Sequence, residues 1–242
     1  FAIMYRTNAQ SRPLEEAFVK AGLPYQLVGG TEFYARREIK DLLAYLRVIS
    51  NQQDDVSLER IVNVPSRGIG EKTLGWLKEW AADRGVSASA ALRMLTPDKS
   101  SPVASDVPAR ILKVLGPVAE LLVELDELAR SSSLPYLVEQ IFERSGYKDM
   151  LELDREAGVD RVENVAELIT ATARYADGEP LDSLGRYLQE VALVSDVDRM
   201  RVDADSITLI TLHAAKGLEF KNVFLVGFEE EYCPHFRSFH DP

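Results

Sequence analysis

Strand-like segments occur only near the two ends of this chain, and that distribution constrains its fold more than any other feature of the sequence. Residues 1–6 (FAIMYR) form a short apolar run typical of a buried strand, and residues 24–30 (PYQLVGG) indicate a second strand that closes at a glycine pair. β-Branched, strand-like segments return only at residues 206–212 and 223–226. A sheet must therefore be assembled from both ends of the chain, which predicts an α/β domain interrupted by a long insertion.

The sequence between these segments carries the apolar spacing of helices. We predict that residues 1–53 and 204–242 are the two halves of the α/β domain and that residues 54–203 form an all-helical insertion. The loops inside the insertion, such as TPDKSSPVASDVP, are rich in Pro, Ser and Asp. The predicted helices span residues 13–21, 38–49, 58–62, 72–83, 88–95, 109–129, 135–145, 161–175 and 181–194.

The charge balance limits how this chain can bind nucleic acid. Its formal net charge of −11 weakens a DNA-binding interpretation without excluding one, so any DNA contact would be a local patch or a set of backbone amides. The chain has one cysteine, no apolar run long enough to span a membrane and no signal peptide, so we expect a reducing, cytoplasmic location. Because it opens directly in a strand, we expect a piece of a longer protein.

The segment TLHAAKGLEF, residues 211–220, interrupts a strand pattern with small residues, a glycine and charged side chains. In open α/β sheets, ligands bind beyond the carboxyl ends of the strands, and His213, Lys216 and Glu219 follow such an end. The segment therefore predicts a ligand-binding loop. A solvated connection between two strands is an equally good alternative.

The segment YRTNAQSR, residues 5–12, is a second strand end that leads into a polar stretch and a helix. The guanidinium of Arg6 matches the oxygen geometry of a phosphate, and the ring of Tyr5 offers a face on which a base can stack. These two residues therefore predict a nucleotide site. The alternative is a tyrosine at the edge of the core beside a surface arginine.

The segment VPSRGIGEKTL, residues 64–74, opens the helical insertion. Gly68 and Gly70 flank Ile69, and a Gly-x-Gly turn before a helix exposes backbone N–H groups close to the positive end of the helix dipole. Such a turn can hold a nucleic-acid backbone without reading its sequence, even in an acidic protein. The alternative is a simple connection between two helices.

Other chemistries find no support in the sequence. Cys233, His235 and His240 lie close together but lack the spacing and the fourth ligand of a zinc site, so we expect no metal site. The sequence contains no Ser–His–Asp or Cys–His arrangement and no GxxxxGK[ST] phosphate loop. Nucleotide chemistry would therefore need another part of the protein.

The motifs together resemble the superfamily 1 DNA helicases of the UvrD/PcrA/Rep kind. The matching stretches are YRTNAQSR, LPYQLVGGTEFYARREIKDLLAYLRVI, VNVPSRGIGEKTL, and ITLITLHAAKGLEF followed by VFLVGFEEEYCPH. The resemblance implies that residues 1–53 and 204–242 are an incomplete second RecA-like motor domain and that residues 54–203 are its helical accessory domain. The chain would be a fragment of an ATP-dependent 3′–5′ DNA helicase. The alternatives are a non-catalytic module that binds duplex DNA or protein, and part of a helicase–nuclease subunit.

The resemblance also implies roles for individual residues. Tyr5 would stack on adenine, Arg6 would be an arginine finger on the γ-phosphate, and Glu219 would contact the ribose or sense the γ-phosphate. Lys216 would organise the loop between the nucleotide and DNA. The residues implied to contact single-stranded DNA are Thr211 and His213, and those implied to hold duplex DNA ahead of the fork are Gly68, Ile69, Gly70, Lys72 and Thr73.

The implied cofactor is ATP with Mg²⁺, and the family's phosphate-loop and Mg²⁺ motifs belong to a first motor domain outside this sequence. A further arginine motif would follow residue 242, so we expect no independent ATP hydrolysis. The implied partners are single-stranded DNA, duplex DNA at a fork, and repair or replication proteins, with no membrane. One departure from the family pattern is Glu231 with Cys233, where relatives often carry Gly and an apolar residue.

Overall fold

The sheet of this protein is built from both ends of the chain. The computed structural model describes residues 1–96, 106–154, 157–198 and 206–229. Its four strands are β1 (Ala2–Tyr5), β2 (Tyr25–Val28), β3 (Ile207–Thr211) and β4 (Val223–Leu225), and they lie in the order β2-β3-β1-β4. All three strand pairs are parallel. The predicted α/β class and the assembly of one sheet from the two chain ends are therefore confirmed.

The register of the two central strands aligns their carboxyl ends. Ala2 of β1 is opposite Thr208 of β3, and Tyr5 is opposite Thr211, the last residue of each strand. Tyr5 and Leu209 have no exposed surface, as befits central strands covered on their faces. The residues that follow β1 and β3 therefore leave the sheet side by side.

Within the described residues the chain forms ten α-helices, and none of them is both long enough and apolar enough to cross a membrane. The connections also include short 3-10 turns at Asn8–Gln10, Phe33–Ala35 and Ala173–Tyr175. The helices are α1 (Ser11–Ala21), α2 (Arg37–Ser50), α3 (Asp55–Ile61), α4 (Glu71–Ala82), α5 (Ala88–Arg93), α6 (Ala109–Ser131), α7 (Leu134–Arg144), α8 (Tyr147–Glu152), α9 (Gly158–Thr172) and α10 (Pro180–Asp198).

The differences from the predicted helices have local causes. Helix α1 begins at Ser11, two residues before Pro13. A proline can lie in the first turn of a helix, because the N–H that it lacks would have no partner within the helix there. Helix α3 begins at Asp55, since the side chain of Asp54 accepts a hydrogen bond from the N–H of Ser57 at 2.9 Å. Helix α8 was not predicted, because its six residues are too few to show a helical period.

The chain divides into two compact units, each made of separate segments. Unit 1 contains Phe1–Ile39, Ala157–Leu168 and Gln189–Pro242, and it holds all four strands. Unit 2 contains Lys40–Glu156 and Ile169–Leu188, and its described residues are helices and connections.

A buried cation in unit 1 joins the segments around the sheet. The guanidinium of Arg36 donates to the backbone oxygen of Thr31 at 3.0 Å, to Oδ1 of Asn164 at 2.8 Å and to Oγ of Ser11 at 2.8 Å. It also lies 5.1 Å from the ring centroid of Phe33. Burial lowers the pKa of Arg36 from its ordinary value, while nearby carboxylates, Glu15 first, oppose that change. The arginine therefore remains charged and holds three chain segments together.

A second buried arginine fixes helix α1. Nη1 of Arg12 lies 2.8 Å from Oε1 of Glu16, and its Nε lies 2.7 Å from Oε1 of Glu167 in α9. The hydroxyl of Tyr34 donates to the same oxygen of Glu16 at 2.8 Å. Arg12, the last residue of the YRTNAQSR segment, therefore stabilises unit 1 and does not face solvent.

Candidate functional site

The loops that follow β2 and β3 pack closely at the carboxyl edge of the sheet. Gly29 has a φ of +75°, and a Cβ at this position would lie 3.1 Å from the Cβ of Ala214. Both the positive φ and the short approach require glycine. The loop after β3 therefore packs against the turn after β2.

Arg6 and His213 meet at this edge. Nη1 of Arg6 lies 2.7 Å from Nδ1 and 2.8 Å from Nε2 of the His213 ring. A guanidinium can only donate and an imidazole ring offers at most one nitrogen lone pair, so at most one of the two contacts is a hydrogen bond. The structure therefore brings together the predicted phosphate-binding arginine and the predicted DNA-binding histidine.

Gln10 fixes the backbone at Arg6. Its Oε1 accepts hydrogen bonds from the N–H groups of Arg6 at 2.9 Å and Thr7 at 3.0 Å. Its amide nitrogen lies where a Cβ at Gly227 would be, so the glycine after β4 leaves room for it. Sequence reasoning missed Gln10, because glutamine is not among the residues that mark a turn and it lies five residues after the end of β1.

The loop after β3 turns tightly and presents its charged residues to solvent. The hydroxyl of Thr211 accepts from the N–H of Ala214 at 3.3 Å, and Gly217 has a φ of +85°. The side chains of Lys216 and Glu219 are exposed. The loop therefore presents a cation and a carboxylate to solvent within six residues of His213 in the sequence.

Tyr5 lies on the inside of the sheet. None of its surface is exposed, and its hydroxyl has no hydrogen-bond partner among the described residues. Burial raises its pKa to about 12. A base can stack on the Tyr5 ring only if the covering side chains move, so its contact with adenine stays a prediction.

The glycine turn in unit 2 is a separate candidate site. Gly68 has a φ of +73°, a conformation that favours glycine, whereas Gly70 has an extended φ of −96° that any residue adopts. A Cβ at Gly70 would meet no atom within 4 Å. Among the described residues, nothing therefore requires glycine at position 70.

The N–H groups of this turn divide into two sets. Those of Arg67 and Ile69 donate to Oδ1 of Asn63 at 2.8 Å and 3.1 Å, and the Ile69 side chain is only 5% exposed. Among the described residues, no acceptor faces the N–H groups of Gly70, Glu71 and Lys72 at the start of α4. The sequence predicted successive exposed amides, but the exposed set begins one residue after Ile69.

Lys72 is exposed and Thr73 is half-buried in the first turn of α4. Lys72 therefore carries the last of the three free amides, and Thr73 follows it. The zinc-site candidates of the sequence, Cys233, His235 and His240, lie outside the described residues, as does Glu231. In the described part of the chain, no group of three or more His, Cys, Asp or Glu side chains is placed to hold a metal ion.

A family model and individual related proteins both match nearly the whole chain. Residues 1–241 match the family described as "UvrD-like helicase C-terminal domain". The chain is 41% identical over 244 residues to the "ATP-dependent DNA helicase PcrA" of Bacillus subtilis (strain 168), an alignment that covers 98% of this chain and 32% of that relative. It is 39% identical over 240 residues to the protein of the same name from Staphylococcus aureus (strain COL), with the same coverage. The chain thus spans about a third of the length of the curated relatives it matches.

Proposed function

The chain belongs to the UvrD-like helicase C-terminal domain family, and on that premise we propose that it is part of an ATP-dependent 3′–5′ DNA helicase. Residues 1–53 and 204–242 would form the second motor domain, and residues 54–203 would form its helical accessory domain. The intact protein would couple ATP hydrolysis to movement along single-stranded DNA and to duplex unwinding. The "ATP-dependent DNA helicase" names of the matched relatives support this proposal.

One observation carries the motor assignment: Arg6 and the 211–219 loop lie together at the carboxyl ends of two adjacent parallel strands. Ligands of open α/β sheets bind at that edge. Arg6 is half-buried there and Lys216 and Glu219 are exposed, so a phosphate and a ribose have groups of suitable charge to bind. These residues would hold ATP, with Tyr5 beneath them.

Arg6 would act as an arginine finger. ATP supplies a phosphoryl group whose transfer spreads negative charge over its oxygens, and a cation placed beside them stabilises that charge. Mg²⁺ would be held by the first motor domain of the intact protein. To reach a phosphate, the Arg6 guanidinium would leave His213, so the position of a DNA-contacting residue would depend on nucleotide binding.

Thr211 and His213 would contact single-stranded DNA at this loop. The contact between Arg6 and His213 supports a link between nucleotide and DNA, because one side chain cannot move without changing the surroundings of the other. Repair or replication proteins would be the partners of the intact helicase. The single cysteine supports a cytoplasmic location.

The turn at residues 68–70, with Lys72 and Thr73, would hold duplex DNA. Gly70 supports this role. Its φ suits any residue and its surroundings are open, so neither backbone conformation nor packing among the described residues requires glycine there. A missing side chain does allow a phosphate to approach the free N–H groups closely. Ile69 would contribute as the buried anchor of the turn.

A second candidate function is a non-catalytic module that binds duplex DNA. The free amides at the start of α4 favour it, because they need no nucleotide in order to bind a phosphate.

One assay of the intact protein distinguishes the helicase from the non-catalytic module. Duplexes with a 3′ or a 5′ single-stranded tail are incubated with ATP and Mg²⁺, and strand separation is measured. We expect separation of the 3′-tailed duplex only; binding without ATP-dependent separation would favour the module.

A further inference from the structure

Arg67 precedes the glycine turn, where an arginine would ordinarily be taken for a phosphate contact. Its guanidinium is instead occupied within unit 2. The two hydrogens of Nη1 are shared among three backbone oxygens, and Nη2 donates to two more acceptors. These contacts are to the oxygens of Ile61 at 3.0 Å, Val62 at 3.3 Å and Val64 at 2.9 Å from Nη1, and of Tyr45 (hydroxyl) at 2.9 Å and Ser145 (backbone) at 2.8 Å from Nη2.

The acceptors of Arg67 are themselves fixed. Tyr45 is completely buried in α2, and its hydroxyl donates to the backbone oxygen of Val64 at 3.2 Å. Ser145 directly follows α7 and is also buried. Arg67 therefore ties the segment before the turn to two helices of unit 2.

The side chain of Asn63 binds the backbone of the turn. One oxygen, Oδ1, accepts from the N–H of Arg67 at 2.8 Å and from the N–H of Ile69 at 3.1 Å. The inward N–H groups at positions 67 and 69 and the buried Ile69 side chain set the direction of the next peptide groups. As a result, the N–H groups of Gly70, Glu71 and Lys72 meet no acceptor among the described residues, and the first N–H groups of α4 with a partner are those of Thr73 and Leu74.

We infer that Asn63 and Arg67 are positioning residues that hold the 68–70 turn in its duplex-binding geometry, and that Arg67 does not itself contact the phosphate backbone. The inference rests on the proposed function of the turn in duplex binding. It deepens that function by separating the residues that build the site from the amides that contact DNA. It also predicts that these contacts offset the entropy lost when a turn with two glycines is ordered.

The test uses the 242-residue chain and a labelled hairpin duplex, with binding measured by fluorescence anisotropy. Asn63→Ala removes the shared acceptor, so we expect hydrogen exchange at the Ile69 amide to become at least about tenfold faster and duplex binding to become about tenfold weaker. Asn63→Asp keeps an acceptor oxygen, so the Ile69 amide should remain as protected as in the unchanged chain. A residue that supported only overall stability would lower protection throughout unit 2 instead of at this turn.

Salt dependence separates the two roles of Arg67. A direct phosphate contact predicts that Arg67→Met, which removes the charge, reduces the magnitude of the slope of log K against log salt by about 0.9. A positioning role predicts weaker duplex binding at every salt concentration with an unchanged slope. If Arg67→Met fails to fold, Arg67→Lys still decides the question. A direct contact predicts that Arg67→Lys binds about as tightly as the unchanged chain because the charge is kept, whereas a positioning role predicts weaker binding because an ammonium cannot replace the five contacts of the guanidinium.

Gly70→Ala distinguishes failure of the inference from failure of the proposed function. If Gly70→Ala weakens duplex binding while Asn63→Ala and Arg67→Lys bind as tightly as the unchanged chain, the inference is wrong and the proposed duplex site stands. If the unchanged chain binds no duplex, or Gly70→Ala has no effect on binding, the duplex site is wrong and the inference falls with it.

Discussion

Nη1 of Arg6 lies 2.7 Å from Nδ1 of His213, although 207 positions separate the two residues in sequence. Parallel pairing brings them together, because Tyr5 and Thr211 are opposite each other at the ends of β1 and β3. Arg6 immediately follows Tyr5, and His213 is the second residue after Thr211. The chain therefore leaves the two neighbouring strand ends at the same edge of the sheet.

If the proposed function holds, replacing Arg6 with Ala should abolish most ATP turnover by the intact protein. A cation that stabilises a transferring phosphoryl group contributes about 10³-fold or more to the rate, whereas DNA binding does not need it. Steady-state ATP hydrolysis with single-stranded DNA measures the loss, and anisotropy measures DNA binding. Arg47→Ala removes the same charge from an exposed position of α2 and should leave turnover unchanged. Full turnover by the Arg6 variant would exclude the arginine-finger role.

Replacing His213 with Ala should reduce the stimulation of ATP hydrolysis by single-stranded DNA. Among the described residues, the histidine is the only proposed DNA contact that touches Arg6, so its loss should separate DNA binding from turnover. His213→Gln retains a side-chain acceptor for the guanidinium and should keep more of the stimulation. The measurement is the ratio of hydrolysis rates with and without single-stranded DNA. An unchanged ratio in both variants would contradict the proposed link.

Replacing Gly70 with Ala should weaken duplex binding without destabilising the chain. The φ of −96° suits alanine and the added methyl group meets no atom within 4 Å, so stability should stay equal or rise by about 0.5 kcal/mol through the unfolded state. Chemical denaturation and duplex anisotropy provide the two measurements. Gly185→Ala, also in open space but inside α10, is the matched control and should leave binding unchanged. Equal duplex binding by both variants would show that DNA does not approach residue 70.

Replacing Tyr5 with Phe should remove part of the alkaline loss of stability. The pKa of Tyr5 is raised from 10.0 to about 12 in the folded chain, so the folded state holds this proton more tightly than the unfolded state. The contribution is complete below pH 10 and is lost as pH rises through about 12, an effect of up to about 3 kcal/mol. Near neutral pH the variant should be at least as stable, because the buried hydroxyl has no partner among the described residues. Denaturation midpoints of the unchanged chain and of Tyr5→Phe, measured from about pH 8 to the alkaline limit of folding, test this because the range includes both pKa values. Parallel curves of midpoint against pH would contradict it.

Replacing Arg36 with Met should destabilise the chain strongly. The change takes three hydrogen bonds from Thr31, Asn164 and Ser11, and removes the cation 3.9 Å from the buried carboxylate of Glu15. Breaking a buried charge pair from one side costs about 3–5 kcal/mol. Denaturant unfolding provides the measurement. Lys20→Ala breaks an exposed contact with Glu190 and should cost less than about 1 kcal/mol, so similar losses in the two variants would contradict this account.

Local sequence patterns predicted the helices and strands that are long enough to show a regular apolar repeat. Strands β1 to β4 and nine of the helices arise from apolar spacing, because burying one face of an element needs a regular repeat. The one helix missed, α8, has six residues, and Gly146, the residue before it, donates its N–H to the backbone oxygen of Glu143 in α7. The turn at residues 68–70 could also be predicted, because glycines before a helix are a local signal.

By itself, the sequence therefore determined the α/β class, the assembly of the sheet from both chain ends and the identity of the loops at its edge. Only the tertiary structure decided which side chains meet: Arg6 with His213, Arg67 with five oxygens, and Tyr5 with the interior instead of the surface. The physical reason is range. Periodicity and turn chemistry act between residues a few positions apart, whereas side-chain contacts and burial depend on strand register and packing between segments far apart in the chain.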